Sequence, residues 1–167
     1  MKKALLMDFA VDKSTNSITV TRAFAAELPL VWDAFTKSEI LDQWWAPKPW
    51  KARTKTMDFR AGGHWLYAMV GPEGEEHWGM ATYKAIQPKE SFTGLDGFSD
   101  AEGNINPELP QSEWENRFED NGDQTLVTIH ITYGDLTQLE ATIQMGFKEG
   151  LSMAMEGLDD ILAAQKS

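Results

Sequence analysis

The chain has 167 residues, of which 42% are hydrophobic and 25% are charged, and its formal net charge is −11. These values are typical of a globular protein, and the length predicts one domain with a core of ordinary size. The absence of cysteine excludes disulfides and thiolate metal sites. The acidic balance argues against nucleic acid and anionic membranes as partners, because phosphate groups are bound by clustered Lys and Arg.

The N-terminal residues bear on location. Lys2, Lys3 and the apolar residues after them begin like a signal peptide, but Asp8 interrupts the apolar run and no A-x-A-like cleavage site follows. The sequence has no run of about 18 apolar residues that would span a membrane. We therefore expect a cytoplasmic protein.

Two strands are predicted at the start of the chain. They cover residues 4–11 and 17–25, with a polar turn between them. In the second strand Ile18, Val20 and Arg22 share one face, which is the period of a strand with two unlike sides.

Two short helices are predicted next. Pro29 suits the first turn of the first helix. Ser38 is expected to cap the second, which ends near Trp45 and Pro47. From Trp50 the pattern changes to that of β-strands, which are predicted over residues 51–59, 63–70, 77–86, 90–96, 111–119 and 124–133.

The last two predicted features are a loop and a helix. Residues 97–110 are rich in Gly, Asp, Asn and Pro and predict a long loop, which is either a lid over a cavity or a disordered segment. From Leu136 to Gln165 apolar residues recur at helical spacing and predict a long amphipathic helix, which Gly146 kinks or divides. This order of elements predicts an α+β fold, with a curved antiparallel sheet and the long helix across its concave face.

Six segments carry a resemblance to a known family. They are VWDAFT at 31–36, QWWAP at 43–47, MDFRAGG at 57–63, GPEG at 71–74, IQPKE at 86–90 and MGFKEGL at 145–151. With these segments the chain resembles the activator of heat-shock-protein-90 ATPase homologue-like family, within the START/Bet v 1-like (SRPBCC, helix-grip) superfamily. The resemblance runs from about residue 18 to 162, and it departs at Phe147, where relatives often have Trp.

The resemblance implies a fold and a class of function. It implies a single helix-grip domain over residues 1–167, with residues 1–16 as an N-terminal extension that adds a strand. Members of the superfamily bind lipids, sterols, polyketides or other apolar ligands between the sheet and the C-terminal helix. The family has no shared catalytic residue set, so the resemblance assigns no catalytic residue, metal or cofactor here. It also allows a homodimer, although no sequence feature specifies an interface.

Strand alternation predicts which side chains face the space between sheet and helix. We expect the following to line a ligand cavity: Trp65, Tyr67, Met69, Trp78, Phe92, Trp114, Asn116, Phe118 and Ile129 from the strands, and Leu151 and Met155 from the helix. Tyr67 and Asn116 are suited to orient a carbonyl or hydroxyl group of a ligand. The alternative is that these residues only fill a core.

Four of the seven tryptophans lie between positions 44 and 65, and a large apolar area with one N–H donor suits each of them to a core or a pocket wall. Trp44 and Trp45 are interpreted as structural, with one indole on the long helix and the other near the cavity rim. The histidines have no metal-ligand spacing.

The leading hypothesis is a non-enzymatic protein that binds a small apolar or aromatic molecule. A chaperone-accessory or interaction module is a second hypothesis, which the family name suggests. A cyclase or dehydratase is a third. It needs an acid or base at the cavity wall, for which Tyr67, Asn116, His64 and His77 are the candidates.

Overall fold

The computed structural model describes residues 7–166, which contain eight strands and four helices. The strands are β1 (Met7–Asp12), β2 (Ser17–Phe24), β3 (Lys51–Met57), β4 (His64–Val70), β5 (Glu76–Gln87), β6 (Ser91–Ser99), β7 (Gln111–Asn121) and β8 (Gln124–Tyr133). The helices are α1 (Leu28–Thr36), α2 (Ser38–Trp44), α3 (Leu136–Gln144) and α4 (Phe147–Lys166). Residues 4–6 of the predicted first strand lie outside the described residues.

The eight strands found within residues 7–166 form one sheet in the order β1-β2-β8-β7-β6-β5-β4-β3, and every neighbouring pair is antiparallel. The two short helices follow β2, and the two C-terminal helices follow β8. This arrangement confirms the predicted α+β helix-grip fold. Within the described part of the chain, no helix is long and apolar enough to cross a membrane.

The core lies between one face of the sheet and the helices. Alternation in β2 and β8 places Ile18, Val20 and Ile129 there without accessible surface, and α4 contributes Met155 and Leu158 in the same way. Full burial of one such side chain contributes about 1.5–3 kcal/mol. The shared apolar face therefore determines which side of the sheet α4 covers.

Arg22 occupies a core position of β2 in spite of its charge. It is 7% exposed and lies on the predicted face with Ile18 and Val20. Its guanidinium donates to both carboxylate oxygens of Asp159 on α4, at N···O distances of 2.5 and 3.2 Å, and to the carbonyl of Ala23 at 2.7 Å. A cation can be buried when a carboxylate and further acceptors surround it, so this pair holds the C-terminal half of α4 against β2.

Gly146 divides the predicted C-terminal helix into α3 and α4. Its φ is 86°, a left-handed conformation that glycine adopts without steric cost and that commonly ends a helix. Asp135 caps the N-terminus of α3 by accepting from the backbone N–H of Gln138 at 2.8 Å. The division turns the chain between the two helices, next to the cavity described below.

The end of β6 and the start of α2 are among the boundaries that differ from the sequence prediction. Strand β6 continues to Ser99, because Gly97 and Phe98 pair with β5, and the irregular segment begins at Asp100. The Asp100 carboxylate accepts from the backbone N–H of Glu102 and of Asn104, each at 2.9 Å, so the first part of this segment is hydrogen-bonded. Ser38 is the first residue of α2 and not its cap, because Lys37 holds the cap position.

Candidate functional site

A cavity of about 390 Å³ lies between the inner face of the sheet and the junction of α3 and α4. Strands β4 to β8 each contribute to one wall. The segment after α2, which includes Trp45, Pro47 and Trp50, contributes to the other wall together with the residues around Gly146. The lining is mostly apolar and aromatic.

Five of the residues predicted to line a ligand cavity are on this wall. They are Tyr67, Met69, Trp78, Trp114 and Leu151. Strand alternation explains Tyr67 and Met69 in β4 and Trp114 in β7, since each faces the helices on the same side of the sheet as the core. The helical period explains Leu151, which is 7% exposed.

Trp78 borders the cavity but turns its indole away from it. The indole Nε1 donates to the carboxylate of Glu76 at 3.3 Å, and the ring lies 5.8 Å from Cζ of Arg53. These partners are exposed, in contrast to the residues on the inner face. Strand β5 explains this arrangement, because Gly79 and Ala81 occupy the inner positions and Trp78 has the opposite parity.

Three more predicted residues surround a second cavity of about 50 Å³. They are Trp65, Phe92 and Asn116. The smaller cavity shares Trp45, Asp96 and Trp114 with the larger one, so these three side chains form the partition between them. Trp65 is held in place by a hydrogen bond from its Nε1 to the Thr54 hydroxyl at 2.9 Å.

The last three predicted residues lie in the packed core. Ile129 and Met155 have no accessible surface, and Phe118 packs edge-on against Trp32 with ring centroids 5.0 Å apart. The structure does not bring these side chains to the wall of either cavity. Their burial contributes to the stability of the fold.

The two adjacent tryptophans have different surroundings. Trp44 is 1% exposed, packs edge-on against Phe35 and donates its N–H to the carbonyl of Ala34 at 2.9 Å, so it joins α2 to α1. Trp45 lines both cavities. Its buried indole N–H lies beside the Tyr67 hydroxyl, but no described residue is aligned to accept a hydrogen bond from it.

Three aromatic rings form a corner of the larger cavity. The centroids of Trp45 and Trp114 are 6.0 Å apart with an interplanar angle of 51°. Trp114 and Phe147 are 6.1 Å apart and perpendicular. The Nε1 of Trp114 donates to the Ser112 hydroxyl at 2.8 Å, which fixes the orientation of the central ring. Because the rings meet at steep angles, they leave space between them.

Asp96 is the acidic group of the cavities. It lies on β6, is partly buried and contributes to the walls of both. Burial raises the pKa of its carboxyl to about 7, against the opposing effect of the Gly97 backbone N–H. Within the described residues this carboxyl forms no ion pair and no hydrogen bond with another side chain, so it has no charged partner.

Three tyrosines lie around Asp96. Burial, and then the charge of Asp96, raise the pKa of the Tyr67 and Tyr83 hydroxyls. Burial raises the pKa of Tyr133 to about 12, and Asp96 contributes less. All three hydroxyls therefore stay protonated at neutral pH and are suited to donate hydrogen bonds.

Sequence reasoning did not identify Asp96, Tyr133 or Phe147 as wall residues. The sequence could have placed Asp96 on the inner face of the sheet, because it lies four residues after Phe92 and strand alternation places both on one face. Its position at the end of a predicted strand, directly before a Gly- and Asp-rich stretch, concealed it. His77 also borders the larger cavity, at its exposed edge beside Trp50.

Residues 7–166 contain neither a metal-binding cluster nor a histidine–carboxylate pair. These residues have no group of three or more His, Asp or Glu side chains that could hold a metal ion. None of their histidine side chains pairs with a carboxylate, since those of His64 and His130 each hydrogen bond to a threonine and that of His77 has no hydrogen bond.

The chain is similar to solved proteins of the same architecture. The crystal structure of protein Ms6760 from Mycobacterium smegmatis has 30% sequence identity and a TM-score of 0.87, over 97% of this chain and 99% of that one. A solution structure of a protein from Arthrobacter aurescens has 28% identity and a TM-score of 0.88, over 94% and 91%. One from Staphylococcus epidermidis has 26% identity and a TM-score of 0.81, over 93% and 94%.

The sequence comparisons agree with the structural ones. No curated protein matches the chain at a significant level. The family described as Activator of Hsp90 ATPase homolog 1-like protein, however, matches residues 25–163. This range includes both short helices, the six strands from β3 to β8, the turn between α3 and α4, and most of α4. This match over most of the chain, together with the helix-grip architecture, confirms the resemblance: the chain belongs to the Activator of Hsp90 ATPase homolog 1-like family.

Proposed function

We propose that the protein binds a small hydrophobic or aromatic molecule in the larger cavity and does not transform it. The cavity itself is the observation that supports this proposal. Its volume of about 390 Å³ falls within the range of about 300–1,000 Å³ common for small-molecule sites. Such sites combine apolar walls with a few polar groups that orient the ligand, and this cavity has that composition.

The wall residues divide the work of binding. The rings of Trp45, Trp114 and Phe147 offer apolar area in fixed orientations. Met69 and Met145 offer flexible thioether side chains that adapt to the shape of a ligand. Asp96 and the Tyr67 hydroxyl offer the polar contacts that select its orientation.

Tryptophan fluorescence provides a direct test, because Trp45 and Trp114 lie on the cavity wall. The protein is titrated with fatty acids, sterols, flavonoids and simple aromatic compounds, and calorimetry measures the affinity of those that change the emission. The proposal fails if no compound binds above background.

A pair of glycines on α4 supplies a matched control. Gly150 lines the cavity, and a Cβ there meets only Pro47, at 3.7 Å. Gly157 is on the same helix, away from the cavity, and a Cβ there has no neighbour within 4 Å. We expect Gly150→Leu to fill the cavity and abolish binding, whereas Gly157→Leu leaves binding unchanged. Equal effects of the two substitutions would contradict the assignment of the cavity.

The family match favours a second candidate, an accessory module for an ATPase. The family description names an activator of the Hsp90 ATPase, and this chain shares the domain of that family. The test adds the purified protein to a bacterial chaperone ATPase of the same type and measures turnover. An unchanged ATPase rate and no co-purification would rule out this candidate.

A further inference from the structure

Resting on the proposed function, we infer that the preferred ligand is an organic cation, with an ammonium group at Asp96 and an apolar or aromatic body in the larger cavity. The inference names a chemical class for the ligand. It depends on the charge of the cavity wall, the arrangement of the rings and the lack of a cation beside Asp96.

The first argument is the isolation of the Asp96 carboxyl. Seven ion pairs occur within the described residues, and the carboxylate of Asp159, the most buried among them, has Arg22 as its partner. Asp96 has no such partner although it is partly buried. A buried carboxylate without a cation is unfavourable, and an incoming ammonium group removes that penalty.

The second argument is the sign of the remaining wall. Of the described residues that line the cavity, none is Lys or Arg, and His77 at the exposed edge is the one side chain able to carry positive charge. An anionic ligand would therefore meet an uncompensated carboxyl. The net charge of −11 adds a general attraction for cations over anions.

The third argument is the aromatic corner. The faces of Trp and Tyr rings attract cations, and Trp45, Trp114 and Tyr67 all border the space that Asp96 faces. Recognition of ammonium groups by aromatic rings close to a carboxylate uses both attractions at once. A neutral ligand of the same shape would use the rings but not the carboxylate.

The ionisation of Asp96 predicts the direction in which ligand affinity changes with pH, and this direction can be measured. A cation stabilises the ionised carboxyl, so affinity should fall as pH decreases through about 7, where Asp96 becomes protonated. Among the described residues, the other titratable groups on the walls that Asp96 shares are Tyr67, Tyr83 and Tyr133, whose raised pKa values keep them neutral over this range, and His77 at the exposed edge of the larger cavity. A ligand that accepts a hydrogen bond from protonated Asp96, such as a ketone, would show the opposite pH dependence.

The experiment compares ligands with one body and different charges: phenylbutylamine, its trimethylammonium derivative, phenylbutanol and phenylbutanoate. Calorimetry at about pH 8 gives their affinities for the full chain. We expect both cations to bind at least about tenfold more tightly than the alcohol and the carboxylate to bind most weakly. The affinity of the permanently charged derivative is then measured at decreasing pH. The same series is measured with His77→Gln, so that the edge histidine does not contribute to the pH dependence.

Variants connect the preference to Asp96. Asp96→Asn, which preserves shape, should remove the preference for cations, so that the cations and the alcohol bind with similar affinity, and Asp96→Glu should retain the preference. Asp123→Asn makes the same charge change on an exposed turn and serves as the control. Equal affinity of cations and alcohol for the unmodified protein, a preference that survives in Asp96→Asn, or tighter binding of the cation at low pH would each overturn the inference. If the alcohol binds and the cations show no advantage, the proposed function stands without it, and if no compound binds, both fail.

Discussion

The phenol of Tyr67 lies over the backbone of Gly79, so closely that a Cβ on Gly79 would be 2.8 Å from both the Cζ atom and the hydroxyl oxygen of the ring. The two residues are direct partners in the β4–β5 ladder. Tyr67 is also stacked on Trp65, with ring centroids 4.1 Å apart, so its ring cannot move freely away from an added methyl group. The Tyr67 phenol therefore occupies the space that a side chain at position 79 would fill.

The first prediction concerns this contact. Gly79→Ala should lower the free energy of unfolding by about 1–3 kcal/mol, the usual effect of overpacking, and should displace the Tyr67 hydroxyl from the cavity wall. Urea unfolding measures the first effect. In a Tyr67→Leu background the same substitution should have little cost, because the phenol has been removed. If the cost is equal in both backgrounds, strain elsewhere in the β4–β5 pair is the cause.

The second prediction concerns Arg22 and Asp159. Removal of the carboxylate in Asp159→Ala leaves a buried guanidinium without its counter-charge, and we expect a loss of about 2–3 kcal/mol in unfolding free energy. The exposed pair Arg60 and Asp58 provides the comparison, because Asp58→Ala should cost less than about 1 kcal/mol. Chemical denaturation of both variants checks the difference. Equal losses would show that burial does not distinguish the two pairs.

The third prediction concerns the pH dependence of stability. The pKa of Asp96 is about 7 in the folded chain, above the value of about 3.9 for an unfolded aspartate, so the folded state binds this proton more tightly. Its contribution is present in full at low pH and is lost as pH rises through about 7. Asp12, Glu76 and Asp100 have lowered pKa values and act in the opposite direction, so the measurement is the difference between two proteins.

Asp96→Asn should therefore gain stability relative to the unmodified chain as pH rises between about 4 and 8, by a few kcal/mol in total. Denaturation at a series of pH values gives this difference. Parallel stability curves for the two proteins would show that the Asp96 carboxyl is as well solvated in the folded state as in the unfolded one.

The residues that strand alternation predicted well are those in regular ladders. Tyr67, Met69 and Trp114 face the helices because the β4–β5 and β7–β8 ladders are not interrupted beside them. Trp78 lies on the opposite face of the sheet, and only the observed register of β5 shows that Gly79 takes the inner position. The presence of an aromatic residue does not show which face of a strand it occupies. When a glycine takes the inner position, the aromatic residue next to it is easily assigned to the wrong face.

Other features of the site depend on contacts distant in sequence. The gap that forms the larger cavity exists because Gly146 turns the chain between α3 and α4 and because Trp45 approaches Trp114, 69 positions later in the chain. Local periodicity has no information on such an approach. The same limit applies to Arg22, whose face was predicted but whose partner Asp159 lies on the last helix.

The last prediction compares two glycines of the C-terminal helices. Gly146 has a φ of 86°, so Gly146→Ala places a β-carbon in a left-handed conformation and should lower the unfolding free energy by about 1–2 kcal/mol. Gly157 is inside α4 with open space around it, so Gly157→Ala should raise the unfolding free energy by about 0.5–1 kcal/mol through helix propensity alone. Thermal and urea unfolding of the two variants should therefore show shifts of opposite sign. Because a Cβ at Gly146 has no contact closer than 4.0 Å, a stabilising effect there could only mean that α3 and α4 join into one continuous helix, and the wall of the larger cavity around Phe147 would change with it.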